Sequence, residues 1–443
     1  MENEKVKKGR FGKGVLVGIL VTILSILVLS GAAIGMFLVR NQEVVGFLTS
    51  SESTESAGQL NLQRVVNKVE LLEQVMDHYF LFDSSAEDME TGIYKGMLAG
   101  LGDPYTTYYT PEEYRAMTEE TEGIYCGIGV QVSQNRETGI ITIIRVFPGS
   151  PAEEAGLKKG DILYKVGDLE TYEQELDTLV SQHIRGEEGT FVDLTVLRDG
   201  EEVSAAVERR MVEVVTVESQ LLPDKTGYVM VTQFDLVTAD QFIEAVENLK
   251  KAGMERLVLD LRDNPGGVVD ACVKMAAYLL PEEPFDGTIL STADKNGEGD
   301  RYYCADGKLQ LDGAVQSSLY PIEDGHEFDM PMAVLINGMS ASASEVLAGA
   351  LRDYDKAVLV GTTSFGKGIV QSLLPLDDGS AIKVTTAHYY TPAGHDIHKQ
   401  GLEPDVEIKL ELPEEFIGQY DVPLDQDNQV QKAIEVLKEN NQQ

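Results

Sequence analysis

Residues 333–345 read Ala-Val-Leu-Ile-Asn-Gly-Met-Ser-Ala-Ser-Ala-Ser-Glu, an apolar run that gives way to small residues. The helical run Val346 to Tyr354 follows, so the stretch predicts a strand that feeds a helix through a tight turn. Such a turn lifts a side chain to the sheet edge, and the adjacent helix N-terminus has unpaired N–H groups and a partial positive charge. That environment suits an oxyanion. Ser344, with Glu345 beside it, could instead be an ordinary helix N-cap.

A second apolar strand leads to a lysine. Ala357 to Val360 is followed by residues 361–371, Gly-Thr-Thr-Ser-Phe-Gly-Lys-Gly-Ile-Val-Gln. If this segment is extended, Lys367 and Gln371 share a face with Ile369. A lysine can take a proton from a serine only when it is neutral, which requires a pKa well below ~10.4, and burial provides that shift. Uncharged Gln371 could orient the amine without stabilising its cation.

A third strand ends in a glycine turn. Leu257 to Leu261 is followed by Arg-Asp-Asn-Pro-Gly-Gly at positions 262–267. The rigid turn could present the amide of Gly266 or Gly267 as a second oxyanion donor.

Residues 122–210 form a separate pattern of short strands with a hairpin turn, Arg-Asp-Gly, at 198–200. Within it, Gly-Ile-Tyr-Cys-Gly-Ile-Gly-Val begins at Gly123, and Ser-Pro-Ala, Ala-Gly-Leu and Gly-Asp-Ile-Leu begin at positions 150, 155 and 160. A lone Gly-x-Gly is more often an ordinary strand start or bulge. The whole set resembles a PDZ domain, a β-barrel-like sandwich with helices.

The PDZ resemblance implies a groove that adds a substrate C-terminus as an extra strand. Its carboxylate would be held by backbone N–H groups of the Gly-Ile-Gly turn, formed by Cys126, Gly127, Ile128 and Gly129. The helical residues 176–184 would form the other wall. Arg185 is a candidate gating contact, although a solvated arginine that ends a helix explains it as simply.

The remaining segments predict the organisation of the chain. Val15 to Val39 carries no charged side chain and follows a lysine-rich start, which predicts a transmembrane anchor at 14–39 with residues 1–13 in the cytoplasm and the rest exported. A cleaved signal peptide is the alternative. A polar linker at 40–58 follows, then a small helical domain at 59–121, the PDZ domain at 122–210, an α/β domain at 211–424 and a terminal helix at 425–443. The fold class is therefore α+β multidomain.

The three motifs of residues 262–267, 338–345 and 361–371 together resemble the C-terminal processing peptidase family of tail-specific serine proteases. The resemblance covers nearly all of the chain beyond the linker and implies a catalytic domain of crotonase-like ββα character. It implies Ser342 as nucleophile, Lys367 as general base and Gln371 as supporting residue, with oxyanion donors at Gly266 or Gly267 and at Ala343. No metal or cofactor is implied. Residues 394–398, Gly-His-Asp-Ile-His, depart from the family's more usual Gly-Arg-Ser-Ile and leave substrate detail open.

The amino-acid composition limits the classes of molecule that the chain is expected to bind. The net charge of −38 argues against nucleic acid, which needs clustered Lys and Arg. The three cysteines do not form a closed set of disulfides, and Cys272 lies in an apolar run typical of a core. The expected partners are proteins or peptides with exposed C-termini and the membrane. The apolar stripe Val430, Ile434 and Leu437, together with the N-terminal helices, suggests a homodimer.

Four rival functions stay open at this stage. Residues 361–367 match Gly-x-x-x-x-Gly-Lys, but Gly368 stands where a nucleotide-binding loop needs Ser or Thr. His388, His395 and His398 could suggest a metal site or a Ser/His/Asp triad, yet no His-Glu-x-x-His helix accompanies them. A non-catalytic adaptor that binds C-termini through the PDZ unit is the alternative from a different functional class.

Overall fold

The computed structural model describes residues 60–136, 138–172, 174–281, 283–305, 308–312, 328–413 and 422–440. The predicted cytoplasmic tail, transmembrane anchor and nearly all of the linker lie outside these residues. Within the described part of the chain, no helix has the length and apolar character needed to cross a bilayer.

Two helices begin the described chain, as their apolar periodicity predicts. They are α1 (Leu62–Tyr79) and α2 (Ala86–Ala99). The side chain of Asn61 caps α1 by accepting a hydrogen bond from the Arg64 amide at 3.0 Å. Neither helix contains a buried residue. The chain divides into two compact units, Met1–Met89 and Glu90–Gln443.

The predicted boundary of the helical domain at residue 121 requires a correction. Strand β1 (Thr107–Tyr109) pairs antiparallel with a strand of the catalytic domain, so that Thr107 lies opposite Lys383. Helix α3 (Pro111–Glu122) follows directly, capped reciprocally by Thr110 and Glu113. Because a backbone ladder binds β1 to the second half of the chain, this part of 59–121 is not a separate helical unit.

The PDZ region has an open antiparallel sheet with strand order β3-β4-β5-β7-β8, and β3 is an outer strand. Its elements are β2 (Ile124–Gly127), β3 (Val130–Gln134), β4 (Ile141–Val146), α4 (Pro151–Glu154), β5 (Ile162–Val166), β6 (Leu169–Glu170), α5 (Leu176–Leu179) with a π-helical turn at Val180–Ile184, β7 (Phe191–Arg198), β8 (Glu201–Glu208) and β9 (Arg210–Glu213). The predicted hairpin joins β7 to β8 through Asp199 and Gly200, both with positive φ. Strand β2 pairs with β9, which closes the domain on itself.

The catalytic region contains a mostly parallel sheet of order β10-β11-β12-β16-β17-β20. Its elements are β10 (Val217–Leu221), β11 (Thr226–Val231), α6 (Thr238–Lys251), β12 (Arg256–Asp260), α7 (Val269–Leu279), β16 (Met332–Ile336), α8 (Ala343–Asp353), β17 (Ala357–Gly361) and β20 (Val406–Glu407). An antiparallel sheet adds β13 (Thr288–Asp294), β14 (Arg301–Ala305), β15 (Lys308–Asp312), β18 (Ile369–Pro375) and β19 (Ala381–Tyr390). The main core packs α6, α7 and α8 against one face of the parallel sheet.

The terminal helix α9 (Asn428–Asn440) covers the opposite face of the parallel sheet. The predicted stripe Val430, Ile434 and Leu437 is buried there, against residues such as Val258 and Leu335. The stripe is therefore covered by the catalytic domain and gives no support to a homodimer.

Candidate active site

Three loops leave the carboxyl ends of three neighbouring parallel strands and converge. Strand β12 leads into the Gly266-Gly267 turn, β16 into Ser342, and β17 into Lys367. In open α/β sheets, the crevice outside the carboxyl ends of the strands is where ligands bind. Ser342, Lys367 and Gly267 line one cavity of about 490 Å³ at this edge.

Ser342 is the residue immediately before α8 and adopts an unusual backbone conformation. Its φ of 55° and ψ of −116° lie in a region that non-glycine residues rarely populate, at a typical cost of about 1–3 kcal/mol. Only 8% of the residue is exposed. Such strain persists only where surrounding contacts impose it, and it is frequent at catalytic turns. Ser344, the alternative cap residue, instead donates its hydroxyl to the Asn264 carbonyl at 3.0 Å.

Asn264 fixes the relative position of two of the loops. This fully buried side chain donates to the Val231 carbonyl at 2.8 Å and accepts from the Gly266 amide at 2.9 Å. Its carbonyl accepts from the Ala341 amide at 3.0 Å. The start of the same turn is held by Arg262, whose guanidinium lies 2.5 Å from Asp260 and 2.8 Å from Asp427, just before α9.

Glu345 connects the Ser342 turn to the lysine loop. Its fully buried carboxylate accepts hydrogen bonds from the Ser342 amide at 2.9 Å and from the Ser364 hydroxyl at 2.5 Å. It also accepts from the amides of Gly366 at 2.6 Å and Lys367 at 2.8 Å. A buried carboxylate is tolerated when donors surround it in this way. One side chain thus sets the spacing between both proposed catalytic residues.

Lys367 is half-buried, and its side chain points at an aromatic ring. Burial and then the positive charge of Lys383 lower the pKa of Lys367 below its usual range, whereas Asp103 acts in the opposite direction. The amine lies 4.7 Å from the centroid of the Tyr105 ring. In the described structure no hydrogen bond joins this amine to Ser342. The lysine is therefore near the nucleophile but not engaged with it.

The backbone amides that could stabilise an oxyanion differ in whether they already donate a hydrogen bond. The Gly266 amide is occupied by Asn264, while Ala343 is the first residue of α8, where helix geometry leaves the amide without an intrahelical partner. Gly266 also packs so closely that an added Cβ would lie 2.8 Å from the Ser342 Cβ. These contacts favour Gly267 and Ala343 as the donor pair.

Gln371 lines the same cavity as Lys367 and Ile369, as expected for one face of an extended segment. Its buried Nε2 has no hydrogen-bond partner among the described residues. In this conformation Gln371 does not orient the lysine.

The PDZ groove is a second cavity, of about 450 Å³. Val130 and Val132 of β3 line it on one side, and Val180 and Ile184 line it on the other. Because β3 is an outer strand, a peptide could pair with it there. Of the four residues of the predicted carboxylate turn, Gly127 and Ile128 line the cavity and Cys126 and Gly129 do not. Gly129 has φ +80°, and a Cβ there would lie 2.3 Å from that of Ser150.

Arg185 connects this groove to α3. It lines the cavity, its guanidinium lies 4.7 Å from the Tyr125 ring centroid, and its Nη1 is 3.6 Å from the Glu119 carboxylate. Glu119 belongs to α3, which also contributes Met117 to the active-site cavity. A single helix therefore lines the active-site cavity and contacts a residue that lines the PDZ groove.

Comparison with known proteins identifies the family. The model for Peptidase family S41 matches residues 225–408, and that for the PDZ domain matches residues 126–208. The carboxyl-terminal-processing protease of Picosynechococcus sp. is 36% identical over 346 residues, which span 77% of this chain and 77% of the relative. The chain belongs to the carboxyl-terminal-processing proteases of family S41. It is thus a serine protease with a PDZ domain.

Further relatives agree. A probable CtpA-like serine protease of Staphylococcus aureus is 33% identical to the protease over 384 residues, 87% of this chain and 71% of the relative. The crystal structure of a putative S41 protease from Bacteroides fragilis covers 88% of the chain and 99% of its own, with 17% identity and a TM-score of 0.50. That similarity shows the fold alone.

The rival sites lack the geometry they need. The lysine that completes the Gly-x-x-x-x-Gly-Lys pattern precedes strand β18, whereas a phosphate-binding loop leads into a helix. The rings of His388 and His398 lie 5.1 Å apart, but no histidine lines the active-site cavity. No cluster of three metal-ligating side chains occurs in the part of the protease that the structure describes.

Sequence reasoning missed several side chains in and beside the cavity. Ser342 and Glu345 have the Ser-x-x-Glu spacing of a capping box, which could have indicated the role of Glu345. Lys383 lies opposite Leu373 across β18 and β19, so only the strand register reveals it. Asp235 also lines the cavity, and its burial raises the pKa to about 6.

We expect Lys383→Gln to shift the acidic limb of the pH–activity profile upward. The Lys383 cation disfavours a second cation on Lys367, so its removal raises the pKa of Lys367, which must be neutral if it is to act as a general base. The shift should be roughly half a pH unit in kcat/KM measured from pH 5 to 10. Lys251→Gln, which removes an exposed lysine remote from the cavity, is the matched control. A limb that moves downward in Lys383→Gln contradicts the assignment.

Proposed function

We propose that the protease cleaves peptide bonds with Ser342 as nucleophile and Lys367 as general base. The convergence of both side chains in one cavity at the carboxyl ends of β16 and β17 is the observation that supports this most strongly. Neutral Lys367 takes the Ser342 proton, the hydroxyl oxygen attacks the peptide carbonyl, and the amides of Gly267 and Ala343 stabilise the oxyanion. Collapse gives an acyl-enzyme that water hydrolyses.

The chemistry requires Lys367 to leave the Tyr105 ring and reach the Ser342 hydroxyl. The distances between catalytic groups are often long in structures without substrate and shorten in the complex. The uncharged side chain of Gln371 lines the same cavity, so it can hydrogen-bond the repositioned amine without stabilising its cation.

Substrates enter through the PDZ groove in this proposal. A protein with an exposed C-terminus would pair with β3, its last side chain among Val130, Val180 and Ile184, and its carboxylate near the Gly127-Ile128 turn. The apolar lining favours a small or aliphatic last residue. If the protein were only a non-catalytic adaptor that binds C-termini, the placement of Ser342 and Lys367 in one cavity would have no role.

Replacement of either proposed catalytic side chain should abolish cleavage. With the full-length chain and an unfolded protein as substrate, we expect Ser342→Ala and Lys367→Met each to lower kcat by about a thousandfold or more. Ser372→Ala and Lys251→Met remove the same groups from positions that do not line the active-site cavity and should cleave normally. Normal cleavage by Ser342→Ala or Lys367→Met would eliminate the Ser/Lys mechanism.

Arg185 is proposed to gate the site. A peptide carboxylate in the groove would compete with Glu119 for the guanidinium, and Glu119 lies on the helix that borders the active-site cavity. The existing pair is partly exposed, with 35% and 46% of the two side chains accessible, so it is weak enough to exchange.

Loss of Arg185 should uncouple the groove from the site. We expect a peptide with an aliphatic C-terminus to stimulate cleavage of a reporter substrate by the parent protease but not by Arg185→Ala. Arg136→Ala, an exposed arginine of the β3–β4 hairpin, should keep the stimulation. Rates of Arg185→Ala that equal those of the parent both with and without peptide would remove the gate.

The location and assembly of the protease are proposed from its N-terminal part. Residues 14–39 would anchor it in the cell membrane with the catalytic part outside the cytoplasm, and loss of membrane association after deletion of residues 1–39 tests this. A homodimer through α1, where Leu62, Val66 and Leu72 are exposed, is the corresponding proposal for assembly. A monomeric mass in light scattering would contradict it.

A further inference from the structure

A rigid turn, Asp103 to Thr106, lies beside the catalytic lysine. The Asp103 carboxylate accepts from the Tyr105 amide at 3.1 Å and from the Thr106 hydroxyl at 2.6 Å. Thr106 is only 6% exposed, and its hydroxyl oxygen accepts from the Thr385 amide of β19 at 3.2 Å. The turn is therefore attached to the strand that pairs with β18, and β1 extends the attachment by pairing with β19.

This attachment puts the Tyr105 ring under the Lys367 amine, with 4.7 Å from Nζ to the ring centroid. An aromatic face attracts an ammonium group electrostatically but gives no such attraction to a neutral amine. The amine makes no hydrogen bond to Ser342 or Gln371 in the described structure, although all three line the same cavity. The Tyr105 ring thus binds the protonated amine of Lys367 at a position that differs from the one in which the amine would hydrogen-bond the Ser342 hydroxyl.

Charged groups surround the amine on every element packed against it. Lys383 approaches from β19, Asp103 from the turn and Glu345 from α8. The carboxylate of Glu345 is engaged by backbone amides and by the Ser364 hydroxyl. Lys383 repels the ammonium and Asp103 attracts it. The Tyr105 ring, like Asp103, favours the protonated form of Lys367.

We propose that Tyr105 is a positioning residue that binds the cationic form of Lys367 away from Ser342 and releases the amine when it loses its proton. The inference rests on the proposed Ser/Lys mechanism and adds a residue from outside the three catalytic loops. It makes the turn before β1 part of the machinery, because any displacement of that turn changes both the position and the charge of the base.

The test is the pH dependence of Ser342 modification by a small fluorophosphonate, which does not need the PDZ groove. Tyr105→Leu removes the ring, so the acidic limb should move down by about half a pH unit, with labelling about threefold faster below the limb. Tyr105→Phe keeps the aromatic face and should retain the parent limb. Tyr108→Leu, which removes a ring that packs on Tyr94, is the matched control in the same segment.

The outcomes test the role of Tyr105 separately from the Ser/Lys mechanism on which it rests. An acidic limb of Tyr105→Leu that stays in place or moves up overturns the role of Tyr105. Parent-like labelling of Lys367→Met at all pH values overturns the Ser/Lys mechanism itself. If Tyr105→Leu does not fold, as judged by thermal melting, Tyr105→Met fills a similar volume without an aromatic face and must give the same downward shift.

Discussion

The buried carboxylate of Glu345 is the constraint on which the active site depends. It accepts from the backbone of the nucleophile turn and from the backbone of the lysine loop, two segments that leave different strands. A buried carboxylate needs hydrogen-bond donors in place of water. If either segment moved away, the charge of Glu345 would stay buried without its donors, which is energetically costly. Glu345 therefore fixes the backbone positions of Ser342 and Lys367 while leaving the lysine side chain free to move.

The backbone of the site and the lysine amine are held by contacts of different strength. The strained φ of Ser342 is held by the contacts of Asn264 and Glu345. The amine of Lys367, by contrast, is positioned only by weak forces, the Tyr105 ring and nearby charges. In the proposed mechanism, small movements of the surrounding elements would therefore act on the Lys367 amine without displacing Ser342. Helix α3 lines the active-site cavity and contacts Arg185 of the PDZ groove, so it is suited to transmit such movements.

Much of the framework could be predicted from the sequence, because local signals specify it. The apolar run that begins at residue 333 predicts a strand before Ser342, and the strand lies at Met332–Ile336, since an apolar run between turn residues defines its limits. The extended face that carries Lys367 and Gln371 follows from the same alternation. The PDZ region and the family are confirmed by the comparisons.

What could not be predicted depends on long-range register. Tyr105 and Lys367 are distant in sequence and meet only because β1 pairs with β19. The same pairing explains why the predicted helical domain ended too late along the chain. The apolar stripe of α9 indicates that another surface covers it. An apolar face does not specify which surface that is, and in the structure it is the parallel sheet.

The Arg262–Asp427 ion pair has a consequence for biosynthesis. The guanidinium that begins the Gly266-Gly267 turn is neutralised partly by a residue just before the last described helix, and that helix completes the outer layer of the parallel sheet. A ribosome-bound chain that stops short of α9 would have to bury Arg262 with one counter-ion missing. Folding of the turn is thus coupled to the synthesis of α9, because the second counter-ion of Arg262 reaches the turn only together with that helix.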